Sequence, residues 1–122
     1  MSSLSIIRIR FLGPLVPASV KVGRGKVYRT QKYLDYVEAL RWLLKAQWVG
    51  KPPDGKAGWG VRLKIWAARG DIDNLAVKPT LDAATGVLWQ DDRQVRYIEA
   101  TLSRNGPGTL EAEFFPLKKG GP

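Results

Sequence analysis

Near the start of the chain Ile7, Ile9 and Phe11 alternate with Arg8 and Arg10, the period of a half-buried strand, and Gly13-Pro14 stops the pattern. A strand is predicted there, at about 5 to 12. From Gly13 to Thr30 no helical period is present, and Lys21, Arg24, Lys26 and Arg29 are scattered among Pro14, Pro17, Gly23 and Gly25. This reads as a long basic loop, of the kind that is functional or mobile. From Thr30 the period changes. Leu34, Val37, Leu40, Leu44 and Trp48 recur every three or four residues, with Lys32, Asp35, Glu38, Arg41 and Lys45 between them, so an amphipathic helix is expected. Thr30 is its candidate N-cap, Glu38 and Arg41 can pair one turn apart, and Gly50 with Pro52-Pro53 ends it. Helical spacing makes Tyr33, Tyr36, Trp42 and Trp48 core and packing residues, not a base-stacking platform.

Alternation returns at Trp59, Val61, Leu63, Ile65 and Ala67, with Arg62, Lys64 and Trp66 on the opposite face, and predicts a second strand. Pro79 to Thr85 is a short helical pattern ending at Gly86. Val95 to Leu102 and Thr109 to Phe115 follow as strands, with the turn-forming run Ser103 to Gly108 between them, and read as a hairpin. The sum is a small α+β domain with a mixed β-sheet packed with helices, covering residues 1–117 ahead of a frayed tail at 118–122.

At 122 residues and 44% hydrophobic content the chain has the length and composition of one globular domain. It lacks both a bilayer-length apolar run and the stretch of a signal peptide, so a cytoplasmic location is expected. The absence of Cys and His changes the picture most: disulfides, thiol nucleophiles, imidazole bases and Cys- or His-ligated metals are all excluded. A metal here must be held by oxygen, which suits Mg²⁺, Mn²⁺ or Ca²⁺. Twenty basic against 11 acidic residues leave a formal +9, a charge that favours polyanions without naming one.

The segment that does not read as scaffold is Arg69-Gly70-Asp71-Ile72-Asp73-Asn74, directly after the Trp59 strand. If strand geometry persists through it, Asp71 and Asp73 lie on one side about 7 Å apart, close enough to share a divalent cation. A second pair, Asp91-Asp92, precedes the Val95 strand, and the two clusters can converge. Carboxylates crowded together without His need a cation or neutralising Lys and Arg among them. The alternatives are plain: Asp-Asn can cap the next helix, and Asp91-Asp92-Arg93 can be an ordinary turn.

The runs Asp71-Ile72-Asp73-Asn74-Leu75, Lys78-Pro79-Thr80-Leu81-Asp82-Ala83 and Gly86 to Val95, taken in order, closely resemble the signature of the RusA family of Holliday junction resolvases. The match is tightest from Asp71 to Val95. The resemblance implies a homodimeric, Mg²⁺-dependent endodeoxyribonuclease, with Mn²⁺ able to substitute, that nicks two opposing strands of a four-way DNA junction during recombination and repair. By motif position it assigns Asp71, Asp73, Asp92 and Lys78 to catalysis, with the three aspartates as metal ligands. Asn74, Asp82 and Asp91 are left with supporting roles. Lys21, Arg24, Lys26, Arg29 and Arg69 are the candidate contacts to the DNA backbone. The partner is then a four-way DNA junction, in a bacterial or phage-infected cytoplasm. An apolar helix face and the Val95 strand edge are both available for the dimer. Competing readings are a non-catalytic branched-DNA or RNA-binding protein of the same fold, and a small basic RNA-binding or ribosome-associated domain.

One departure from the family pattern stands out. The lysine usually falls four positions after the second aspartate, whereas Ala76-Val77 places Lys78 five after Asp73. One extra residue turns a helical side chain by about 100°. In a regular helix capped at Asp73, Pro79 would also fall in the sixth helical position, where its ring and missing N–H are harmful. A bulge or delayed helix start near Lys78 is therefore predicted, keeping Lys78, Pro79 and Asp82 in register.

Overall fold

The computed structural model describes residues 6–18, 20–23, 26–48, 58–106 and 108–117. Strand β1 (Ile7–Leu12) alternates buried Ile7 and Ile9 with exposed Arg8 and Arg10, as the pattern requires. The basic connection is more ordered than its composition suggests: β2 (Val20–Gly23) and β3 (Lys26–Arg29) pair antiparallel as a hairpin of their own. Val20 and Val22 alternate with Lys21 and Gly23, a two-residue period too short to register against the surrounding Pro and Gly.

Helix α1 (Gln31–Gln47) is capped by Thr30, whose hydroxyl accepts the Tyr33 N–H at 3.2 Å. Its inward face is Tyr33, Tyr36, Val37, Leu40 and Leu44. Two expectations on this helix fail. Trp42 is 67% exposed and Leu34 47%, because the helix presents a stripe to the sheet and both residues lie off that stripe. Trp48 does pack, edge-on, against Trp59.

Strand β4 (Gly58–Trp66) buries Trp59, Val61, Leu63 and Ile65 and occupies an interior place in the sheet. After it come a five-residue π-helical turn (Asp73–Val77), helix α2 (Lys78–Ala84), a 3-10 turn (Asp92–Gln94), β5 (Val95–Ser103) and β6 (Thr109–Leu117). The four-stranded sheet runs β1-β6-β4-β5 and is mixed, with only β4 and β5 parallel. The expected β5–β6 hairpin is absent: the two strands flank β4 on opposite sides. Burial explains the order. Leu110, Ala112 and Phe114 give β6 a fully apolar inner face suited to the interior, whereas β5 leaves Tyr97 and Ile98 exposed and lies at an edge. The connecting loop must cross the end of β4. Gly108, at φ +91°, permits the crossing, since a Cβ there would lie 2.7 Å from the Gly13 carbonyl oxygen.

Both helices cover one face of the sheet and enclose the core with Trp89 and Leu88. The other face carries charge in cross-strand rows. Arg8, Glu113, Arg62 and Glu99 stand opposite one another along four strands, linked at 2.8, 3.2 and 3.3 Å. No helix among the described residues is long and apolar enough to cross a membrane.

Candidate active site along the crossover from β4 to β5

Strand geometry does not persist to Asp71. β4 ends at Trp66 and the chain bends through Arg69-Gly70, where Gly70 has φ +94° and a Cβ would lie 2.6 Å from Leu75 Cδ1. The expectation of two aspartates side by side on an extended segment is thereby corrected. Asp71 instead starts a helical segment: its Oδ1 accepts the Asn74 N–H at 2.8 Å and its Oδ2 accepts the Asn74 side-chain amide at 3.2 Å. This is the capping role that Asp-Asn offers. Asp73, two residues on within the turn, is exposed.

The predicted bulge is present. In the π turn the Lys78 N–H reaches back five residues to the Asp73 carbonyl, which absorbs the extra residue before α2 begins. Pro79 then falls in the first turn of α2, where a missing N–H is tolerated. Lys78 and Asp82 are in register, with Nζ to Oδ1 at 2.9 Å. The other Asp82 oxygen accepts the Tyr33 hydroxyl. Arg41 crosses from α1 to donate to the carbonyls of Asp82 at 2.8 Å and Ala83 at 3.1 Å, besides pairing with Glu38 at 3.0 Å. Helix α1 thus grips α2 through polar bonds that helical periodicity alone conceals. Periodicity assigns Tyr33 and Tyr36 only to packing and Arg41 only to the polar side. The detectable signal was Pro79, which removes the donor that the Leu75 carbonyl would otherwise meet four residues later.

At the far end of the crossover, Asp91 caps the 3-10 turn in a reciprocal box with Gln94. Its Oδ1 accepts the Arg93 N–H at 2.9 Å, and the Gln94 side-chain oxygen accepts the Gln90 and Asp91 N–H groups at 2.9 and 3.3 Å. The Arg93 backbone N–H, and then its guanidinium at 3.1–3.2 Å, hold the Asp91 carboxyl below the usual aspartate range. Asp92 is exposed beside it. Asp82, Asp91 and Asp92 line a cleft of about 610 Å³ with Tyr33 and Arg41.

The two acidic pairs do not converge within the chain. β4 and β5 are parallel, with Trp59 opposite Val95 and Trp66 opposite Ser103, so Asp71 and Asp73 follow one end of the pair and Asp91 and Asp92 precede the other. The separation is on the order of 20 Å. Among the described residues no three acidic side chains approach closely enough to hold one metal ion. Of the basic candidates, Arg69 is exposed and lines a cleft of about 350 Å³ with Pro14 and Leu15. Lys21, Lys26 and Arg29 lie on the β2–β3 hairpin, and Arg24 falls outside the described residues.

Residues 15–111, most of the chain, match the family model of endodeoxyribonuclease RusA. The chain belongs to the RusA family. It is accordingly an endodeoxyribonuclease of the kind that acts on branched DNA junctions. No curated protein matches it at a significant level. The RusA match begins after β1 and ends inside β6, so it contains the whole crossover on which the candidate residues lie.

Proposed function

We propose that this RusA-family chain is a Mg²⁺-dependent resolvase that nicks opposing strands of a four-way DNA junction symmetrically, as a homodimer in a bacterial or phage-infected cytoplasm. One observation carries the reading. The extra residue that would have swung Lys78 away is taken up by a π turn, leaving Lys78 half-exposed and in register on the segment that also bears Asp71, Asp73 and Asp92.

The donor set fits a hard divalent ion. All available ligands are oxygens, Asp73 and Asp92 are exposed, and Asp71 keeps lone pairs beyond the two occupied by Asn74. Mg²⁺ takes only one or two protein carboxylates, with water and phosphate oxygens completing its shell, and Mn²⁺ accepts the same donors. Asp71 and Asp73 of one protomer, with Asp92 supplied across the dimer, would hold it. When bound, such an ion supplies a water of lowered pKa and Lewis-acid polarisation of the phosphate. The chain's own residues do the rest. Asn74 orients Asp71, the Asp91 cap sets the turn that presents Asp92, and Lys78 offers its ammonium to charge gathering on the phosphate. Lys21, Arg24, Lys26, Arg29 and Arg69 contact the DNA backbone.

A homodimer suits the near two-fold symmetry of a four-way junction. It also offers a way to gather carboxylates that one chain keeps apart, by setting the Asp92 end of one protomer against the Asp71–Asp73 end of its partner. The β5 edge is one surface for this: among the described residues it pairs only with β4, and Ile98 is 44% exposed on it.

The test compares a synthetic immobile four-way junction with linear duplex of the same sequence, in Mg²⁺ or EDTA, beside Asp73→Asn. Paired symmetrical nicks on the junction alone, lost in EDTA and in the variant, are expected. Tight junction binding without nicks under any divalent ion would instead select a non-catalytic branched-DNA-binding protein. The observation favouring that second reading is the Lys78–Asp82 ion pair, which already occupies the lysine.

A further inference from the structure

The widened turn leaves two backbone carbonyls without their helical donors, and both are filled from outside the helix. In a regular helix the Asn74 carbonyl would accept from Lys78 and the Leu75 carbonyl from residue 79. Here the Lys78 N–H goes to Asp73 and residue 79 is proline, with no N–H to give. The Asn74 carbonyl accepts the Ala18 N–H at 2.8 Å instead, and the Leu75 carbonyl accepts the Tyr36 hydroxyl at 3.0 Å. Tyr36 is buried in α1 with its ring edge-on to Phe11, and burial pushes its hydroxyl far above the usual tyrosine range, so it remains a donor at every working pH.

We infer that Tyr36 is a positioning residue for Lys78, acting through the backbone of the π turn. This rests on the reading of Lys78 in the proposed function. A buried carbonyl without a donor favours any rearrangement that finds it one. The nearest such rearrangement moves the π turn further along the chain, so that Leu75 takes the Thr80 N–H five residues on and the Lys78 N–H lets go of Asp73, and because Lys78 then falls inside the turn and not after it, that shift rotates its side chain by about 100°. The Tyr36 hydroxyl removes the incentive. Ala18 closes the turn from its other side, so an insertion that is unfavourable alone is held by two bonds from separate segments of the fold.

The experiment uses Tyr36→Phe, which keeps the ring and removes only the hydroxyl. Single-turnover junction cleavage should fall roughly ten- to hundredfold, while junction affinity and circular dichroism stay as in the natural chain. Protection of the Lys78 amide against hydrogen exchange should fall in parallel, with protection of the β4 amides unchanged. Deleting Val77 puts the Thr80 N–H four residues after Leu75, so in that background Tyr36→Phe should have no effect on cleavage. Unchanged Lys78 protection in Tyr36→Phe would overturn the inference, as would cleavage at the natural rate, or a loss of rate tracking a loss of affinity. If the natural chain cleaves no junction, the functional reading falls, and Lys78 protection alone decides whether Tyr36 sets the turn.

Discussion

The outer face of the sheet and the crossover from β4 to β5 both concentrate charged residues, and they use them differently. On the sheet face, acids and bases alternate across strands and satisfy one another: Glu113 stands between Arg8 and Arg62, and Glu99 accepts from Arg62 and Tyr97. Along the crossover two of the acids bind backbone. Asp71 and Asp91 cap turns, Asp82 joins a lysine to a tyrosine of another helix, and Asp73 and Asp92 are left facing solvent. Mutual pairing at a surface contributes little and demands nothing of the fold. Capping requires a defined backbone, and a defined backbone is what can present a neighbouring carboxylate in one direction.

The largest effect that would break this contrast is loss of cleavage. Asp73→Asn and Asp92→Asn should each lower junction cleavage by on the order of a hundredfold or more while leaving junction binding nearly intact, as for an interaction made only in the transition state. A sheet-face variant such as Glu113→Gln should leave the cleavage rate unchanged. Next in size is stability. Tyr36→Phe leaves the buried Leu75 carbonyl without its hydroxyl donor and should lower unfolding free energy by about 1–3 kcal/mol in a urea titration. Glu113→Gln should cost less than about 1 kcal/mol by the same measurement.

Metal addition separates the regions in the opposite sense. Millimolar Mg²⁺ should raise the melting temperature of the natural chain, and EDTA should reverse this, because an ion that binds only the folded state stabilises it. The doubly substituted Asp71→Asn, Asp73→Asn chain should show no such rise.

The smallest effect is the pH response. The Glu113 carboxyl is held below the ordinary glutamate value by Arg8 and then Arg62, and Asp91 is lowered by the Arg93 N–H. A lowered folded-state pKa contributes stability that is complete above the ordinary carboxylate range and is lost as pH falls through the folded value. Melting temperature should therefore be flat above about pH 5 and decline below it. Glu113→Gln should soften that decline, and 0.5 M salt should soften it further for the sheet face than for the capped Asp91 turn.

Much of the architecture was legible residue by residue. Period-two alternation gave β1 and β4, the Thr30 cap and the three-to-four spacing gave α1, and Pro79 with one surplus residue gave the bulge before Lys78. The failures share a cause. A turn-rich connection suggests a β5–β6 hairpin, but a turn only permits adjacency, and the fully apolar inner face of β6 takes the interior place beside β4 instead. Asp71 and Asp73 look extended in the sequence because the chain carries no mark at Ala67 that ends the strand, and the two acidic pairs look able to converge because sequence proximity hides which end of a parallel strand each pair occupies.

Local spacing by itself determined the elements, the oxygen-only ligand chemistry, and the need for a distortion ahead of Pro79, since each depends on neighbours within one or two turns. Only the tertiary structure decided where the distortion's unpaired carbonyls find donors, that α1 holds α2 through Tyr33, Tyr36 and Arg41, and that Asp71 and Asp92 stand at opposite ends of the crossover. Those outcomes depend on which surfaces bury against which, and a hydrogen bond between residues 36 and 75 has no local signature from which it could be read.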